Sequence, residues 1–167
     1  MKILISDMGG VIYSFDPSFD PQKHEAEFNR AMIAVGKSES NLSDQLQDEW
    51  EAVNRGLLQV YPNKTGIDNF VKNLNWYHGV IVATSKVETT KWILDKFTIP
   101  LDNLDIFDIS IYGSKKDKNA WYQIFKDYQS IDVIVEDSEK NLTIAKECAN
   151  ELGFGPKTYT SMPLLNQ

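Results

Sequence analysis

Four polar groupings along the chain have the residue types needed to handle a phosphate. They are Asp7 in ISDMGGVI, Thr84 and Ser85 in VIVATSK, Lys115 in GSKKDKNAW, and Glu136 with Asp137 in VIVEDSEKN. A phosphate needs positive partners, and three carboxylates alone would repel it. A hard divalent cation held by those oxygens reverses the local charge; Mg²⁺ typically takes one or two carboxylates and keeps several waters. Asp7 could then attack phosphorus and form an aspartyl phosphate. A hydroxyl and an ammonium would hold the equatorial oxygens. Asp is also a common turn residue, so Asp7 by itself is a weak signal.

The elements that must position these groups are legible around them. Each grouping follows an apolar run that reads as a buried strand: Lys2 to Ser6, Gly79 to Ala83, Phe107 to Tyr112 and Ile131 to Val135. Lys157 to Thr160 reads as an edge strand, and the tail Ser161 to Gln167 as frayed. Helical spacing covers Gln22 to Val35, Ser43 to Leu58, Gly66 to Leu74, Val87 to Phe97, Asn119 to Tyr128 and Asn141 to Leu152. On the second of these, Leu42, Leu46, Trp50, Val53 and Leu57 form one apolar face. Two prolines between Tyr13 and Pro21 predict a loop there. Strands alternating with helices predict an α/β fold with a parallel sheet covered on both faces. Ligands in such sheets sit at the carboxyl ends of the strands, where all four groupings fall. The three helices between Gln22 and Leu74 exceed one crossover and read as a small helical insertion over the strand ends.

In this order the four groupings resemble the motifs of the haloacid dehalogenase-like (HAD) superfamily. Asp7 matches the first-motif nucleophile, Thr84 the second-motif hydroxyl with Ser85 after it, Lys115 the third-motif lysine, and Glu136 and Asp137 the fourth-motif acidic pair. The resemblance implies a Rossmann-like three-layer α/β/α core at 1–16 and 76–167, with a small α-helical cap at 17–75. It implies a phosphatase acting on a small phosphomonoester. Thr84, Ser85 and Lys115 would bind phosphate. Mg²⁺ would be held by Asp7, the Gly9 backbone carbonyl, Glu136 and Asp137. One position departs from the family's phosphatases. Two residues after the nucleophile they usually carry an Asp that protonates the leaving group and then activates water; here the residue is Gly9. General acid–base assistance is commonly worth about 10²–10⁴ in rate. Asp16 or Asp20 could supply the proton, the substrate could carry a good leaving group, or the protein could bind a phosphorylated ligand without turnover.

Bulk properties narrow the alternatives. With 167 residues and 42% apolar content, the chain suits one domain, or one core with an insertion. A net charge of −7 without a basic block argues against a nucleic-acid partner. There is no run long enough to span a membrane, and no signal-peptide pattern, so a cytoplasmic protein is expected. Cys148 is the only cysteine, which excludes an internal disulfide, and its helix position reads as inert. His24 and His78 lack partners at metal-ligand spacing. Trp50, Trp92 and Trp121 lie on apolar helix faces, Lys116 and Lys118 read as exposed, and Ser138 as a helix cap. A receiver-like signalling domain would carry its acidic pair early in the chain, whereas Glu136 and Asp137 come late. Dehalogenation does not need the metal site that the acidic pair suits.

Overall fold

The computed structural model describes residues 1–35, 49 and 51–165. Five strands form a parallel sheet: β1 (Lys2–Ser6), β4 (Tyr77–Ala83), β5 (Leu104–Asp108), β6 (Val133–Val135) and β7 (Lys157–Tyr159), in the order β5-β4-β1-β6-β7. β1 is central, and the chain runs outward from it on both sides. Its carboxyl end is therefore the switch point at which open α/β sheets place ligands. Two further strands, β2 (Tyr13–Ser14) and β3 (Tyr61–Pro62), pair antiparallel as a separate short ribbon. Residues expected to be loop thus fasten the stretch after Asp7 to the end of the long β1–β4 connection.

Helices cover both faces. Ile3, Ile5, Val80, Val82 and Ile134 pack with residues of α4 (Lys118–Phe125) and α5 (Glu139–Glu151). Their alternate neighbours Leu4, Ile81, Val133 and Val135 pack on the other side with residues of α1 (Pro21–Ala34), α2 (Lys64–Asn73) and α3 (Val87–Lys96). This period-two sorting is what a sheet buried on both faces requires. Fully burying each such Leu or Ile contributes about 1.5–3 kcal/mol relative to exposure. Ala31, Met32, Ala52 and Leu58, from the β1–β4 connection, share one apolar cluster with Leu4 and Ile81. Asp20 caps α1, and Ser138 caps α5 by accepting from the Asn141 amide. Among the described residues no helix is long and apolar enough to cross a membrane.

Three expectations shift. The strand placed at Phe107 to Tyr112 lies earlier, at Leu104–Asp108, and Ile109–Ile111 is a single 3₁₀ turn. The Asp108 carboxylate accepts from the Ser110 amide at 3.0 Å, which turns the chain, and Ile111 ends 71% exposed although its apolar neighbours suggested a strand. The tail is not frayed through residue 165. Asn73 donates to the Pro163 carbonyl at 2.9 Å and accepts from the Leu165 amide at 2.9 Å, while Met162 is buried. The helix expected over Ser43 to Leu58 falls partly outside the described residues, as does Trp50. Residues 49 and 51–54 are helical, and the chain leaves the helix at Gly56, with φ +74°.

Candidate active site

The loop after β1 is set by backbone chemistry. The Asp7 amide donates to the Val135 carbonyl at 2.9 Å, extending the sheet by one step, and the Met8 amide donates to Asp7 Oδ1 at 2.7 Å. Gly10 then adopts φ +83°, a conformation that favours glycine. A Cβ at this position would lie 2.0 Å from Asp137 Oδ2, so the missing side chain is also what lets Asp137 approach.

Asp7, Glu136 and Asp137 each offer a carboxylate oxygen, and these oxygens lie within 4.8 Å of one another. The Lys115 ammonium sits between two of them, 2.6 Å from Asp7 Oδ1 and 2.7 Å from Glu136 Oε2. Lys115 is buried, and Trp121 Nε1 donates to its carbonyl at 2.9 Å, so α4 fixes the loop that carries it. Burial works against the lysine charge, but Asp7 and Glu136 outweigh it and push its pKa up. Burial would raise Asp7, yet Lys115 and hydrogen bonding with the neighbouring acids hold it below the usual carboxylate value. Burial and the charge of Asp7 push Glu136 up. Asp137 rises to about 6, from burial first and its contact with Asp7 second. Three carboxylates against one ammonium leave two formal negative charges. An all-oxygen set with that charge suits a hard divalent cation.

These groups border a cavity of about 700 Å³ with an apolar side formed by Phe15, Phe19 and Phe28. Thr84 is exposed and lines it, as does Lys116. Ser85 also lines it but is buried, and its hydroxyl donates to Glu49 Oε2 at 3.0 Å. Asp16 and Asp20 do not border the cavity. Asp16 accepts from the Ser18 hydroxyl and from the amides of Ser18 and Asp20, contacts that hold its pKa down. Asp20 accepts from the amides of Gln22 and Lys23 at the start of α1. Both acids are therefore engaged by their own loop. His78 lies elsewhere, bonded to Asn103 and Asp105, and Cys148 is buried in the face packed by α4 and α5.

Three cavity groups carried no sequence assignment. Tyr13 Oη lies 3.3 Å from Glu49 Oε1, a hydrogen bond in which the hydroxyl donates to an ionised Glu49 and accepts from a protonated one. His24 stacks on Phe15, ring centroids 4.5 Å apart and planes 8° apart, with its Nε2 3.6 Å from where a Cβ on Gly9 would stand. Glu49 is 3% exposed, and burial raises its pKa to about 7 against the opposing hydrogen bonds from Ser85 and Tyr13. A signal for Glu49 was present in the sequence: it follows Leu46 by three residues and precedes Val53 by four, so it occupies the apolar register of its helix.

The sheet order and the flanking helices are those of an α/β fold of the haloacid dehalogenase type, and the acidic cluster of this chain lies at the carboxyl end of β1. The sequence matches no protein-family model and no curated protein. Among solved structures, it is similar to the HAD family enzyme BT-2542 from Bacteroides thetaiotaomicron, in complex with magnesium and inorganic phosphate. The TM-score is 0.61 at 16% identity, covering 96% of this chain and 93% of that one. The HAD domain of the effector protein Lem4 from Legionella pneumophila gives 0.59 at 15% identity, covering 99% and 88%. The UTR4 protein from Saccharomyces cerevisiae gives 0.56 at 14%, covering 98% and 99%.

Proposed function

We propose that this protein is a Mg²⁺-dependent phosphohydrolase acting on a small phosphomonoester, with Asp7 as the nucleophile. The observation that carries the reading is the shared position of Asp7, Lys115, Glu136 and Asp137 at one sheet edge, beside a cavity. BT-2542, which has the same fold, holds magnesium and inorganic phosphate, and that pairing supports the same ligands here.

Asp7, Glu136, Asp137 and the Gly9 carbonyl would hold Mg²⁺. Bound there, the ion would neutralise charge on the phosphoryl oxygens. The remaining work falls to the chain. Lys115 and the Met8 amide both donate to Asp7 Oδ1, and among the described residues no N–H donor is bonded to Oδ2. Oδ2 is therefore the oxygen free to attack phosphorus. Its charge persists at neutral pH because Asp7's pKa is lowered. Lys115, which would stay protonated, and the Thr84 hydroxyl would contact the transferred group. Attack gives an aspartyl phosphate on Asp7, and water then releases inorganic phosphate. Residues 17–75 would act as a small cap over the site, with core residues at 1–16 and 76–167.

The test is release of inorganic phosphate from a panel of phosphomonoesters, with Mg²⁺ and with EDTA. Asp7→Asn is expected to lower turnover at least about a thousandfold. Equal release by D7N and the wild type would overturn Asp7 as nucleophile. A second reading, binding of a phosphorylated ligand without turnover, is favoured by the missing carboxyl at Gly9. It predicts Mg²⁺-dependent binding of phosphate and no release from any ester.

A further inference from the structure

The phosphohydrolase reading leaves one requirement unfilled, a proton source, and assigning that source rests on the same reading. An unactivated ester needs a proton for its leaving oxygen, and water then needs a base. Gly9 offers neither, and Asp16 and Asp20 are engaged by their own loop. The space that a side chain on Gly9 would enter is bordered by His24 Nε2 at 3.6 Å, His24 Cε1 at 3.8 Å and Tyr13 Oη at 4.0 Å.

His24 can be set aside as the proton source. Its Nδ1 lies 2.9 Å from the Phe15 amide nitrogen, and an amide N–H only donates, so Nδ1 is an acceptor. The single ring proton then sits on Nε2. Giving it up would leave an imidazolate, and protonating Nδ1 would set two donors against each other. Burial, outweighing the carboxylates around it, also lowers the histidine's pKa. His24 can donate a hydrogen bond from Nε2 but not transfer that proton.

Tyr13 differs because it has a carboxyl behind it. Its hydroxyl faces Gly9 and also contacts Glu49, whose second oxygen is bound by Ser85. Glu49 is almost fully buried and lines the same cavity as Asp7. Among the described residues no ammonium or guanidinium lies within ion-pair reach of it. A buried carboxyl in that setting favours its neutral, proton-bearing form. We infer that Glu49, acting through the Tyr13 hydroxyl, supplies the proton to the leaving oxygen and later takes one from the attacking water.

The step balances. An Asp7 oxygen bonds to phosphorus, and the bond from phosphorus to the leaving oxygen breaks, its electron pair going to that oxygen. The oxygen takes the Tyr13 hydroxyl proton as Tyr13 takes the Glu49 proton. The products are an alcohol, an aspartyl phosphate and a Glu49 carboxylate. In the second half water bonds to phosphorus, the Asp7–phosphorus bond breaks, and a water proton returns through Tyr13 to Glu49.

The experiment compares the wild type, Glu49→Gln and Tyr13→Phe on two substrates. p-Nitrophenyl phosphate has a leaving group that departs without a proton; glycerol phosphate does not. Pre-steady-state mixing separates the first half-reaction from the second. Both variants are expected to keep a p-nitrophenolate burst at the wild-type rate, followed by slowed turnover. On glycerol phosphate they are expected to lose about 10²–10⁴ in rate. If Glu49 only tethers its helix to Tyr13 and Ser85, the burst and glycerol phosphate hydrolysis fall by the same factor in E49Q, which would overturn the inference. So would rates unchanged on both substrates. Should E49Q fail to fold, Y13F alone decides, since it keeps the tether to Ser85. A wild type that hydrolyses neither ester overturns the phosphohydrolase reading and this inference with it. That outcome differs from an active wild type matched by its variants.

Discussion

Replacing Lys115 with methionine tests whether the acidic cluster is held together by one ammonium. Lys115 reaches Asp7 at 2.6 Å and Glu136 at 2.7 Å, with its side chain only 8% exposed. Methionine keeps the unbranched stem and removes the charge, and Trp121 still bonds the residue 115 carbonyl. Without the ammonium three carboxyl groups face one another in a largely buried site. Removing one partner of a buried ion pair costs about 3–5 kcal/mol. For a chain of this length each kcal/mol moves the midpoint about 2–4 °C, so the expected fall is about 6–20 °C in EDTA. Magnesium should reverse the trend, because the variant's site is one charge more negative. Saturation at a hundred times Kd adds about 2.7 kcal/mol for any site, and a tighter Kd in K115M makes its gain larger at equal Mg²⁺. The assay is thermal unfolding by circular dichroism for both proteins, in EDTA and in millimolar Mg²⁺. Midpoints within about 2 °C of each other in EDTA, or equal Mg²⁺ gains, would refute the arrangement. Activity should stay lost in K115M under all these conditions.

Adjacent glycines should respond differently to the same methyl group. Gly10→Ala forces a Cβ to 2.0 Å from Asp137 Oδ2 at φ +83°; a loss of about 1–3 kcal/mol and weakened Mg²⁺ activation of phosphate release are expected. Gly9→Ala meets nothing nearer than 3.6 Å and should change the midpoint by less than about 2 °C; similar losses in both would show that the approach of Asp137 is not what Gly10 permits. Glu49 predicts a slope of stability with pH. Its pKa rises from 4.5 to about 7 on folding, so the native state holds a proton that the unfolded chain has released between those values. Stability therefore falls as pH climbs from about 4.5 to 7, by an amount on the order of 3 kcal/mol. Glu49→Gln should flatten that part of a urea-denaturation series; an unchanged slope would show that Glu49 is ionised in the folded protein.

Strand ends were legible because each apolar run stops at a polar residue with a chemical use, and the register of β1 is fixed by its period-two burial. Asp7, Lys115, Glu136 and Asp137 followed from that reading, and the fold brings them together. The misplaced strand at Phe107 to Tyr112 has a local cause. LDIFD carries two acids among five residues and looks weaker than the more apolar stretch after it, yet Gly79 to Ala83 pairs with it along its length. Tertiary pairing outweighed composition there. The pinned tail was hidden for a related reason, since Asn73 reads as a surface residue of α2 until its amide meets Pro163 and Leu165. His24 and Tyr13 could not be assigned from spacing, because their relation to Gly9 exists only once the loop turns back on α1.

Glu49 shows why a polar residue in an apolar register carries information that motif spacing does not. A helical register that puts a glutamate three residues after Leu46 and four before Val53 in the sequence must bury it or abandon the apolar face. Burial without an ion pair is tolerable when the carboxyl stays protonated and both oxygens find partners, as Tyr13 and Ser85 provide. Those partners follow β1 and β4, the two strands that deliver Asp7 and Thr84. The contacts that satisfy the buried acid therefore also tie its helix to the strand ends bearing the nucleophile and the hydroxyl. A substitution that ionises or removes Glu49 disturbs that attachment and the proton supply together, and for that reason only a comparison across leaving groups can tell the two effects apart.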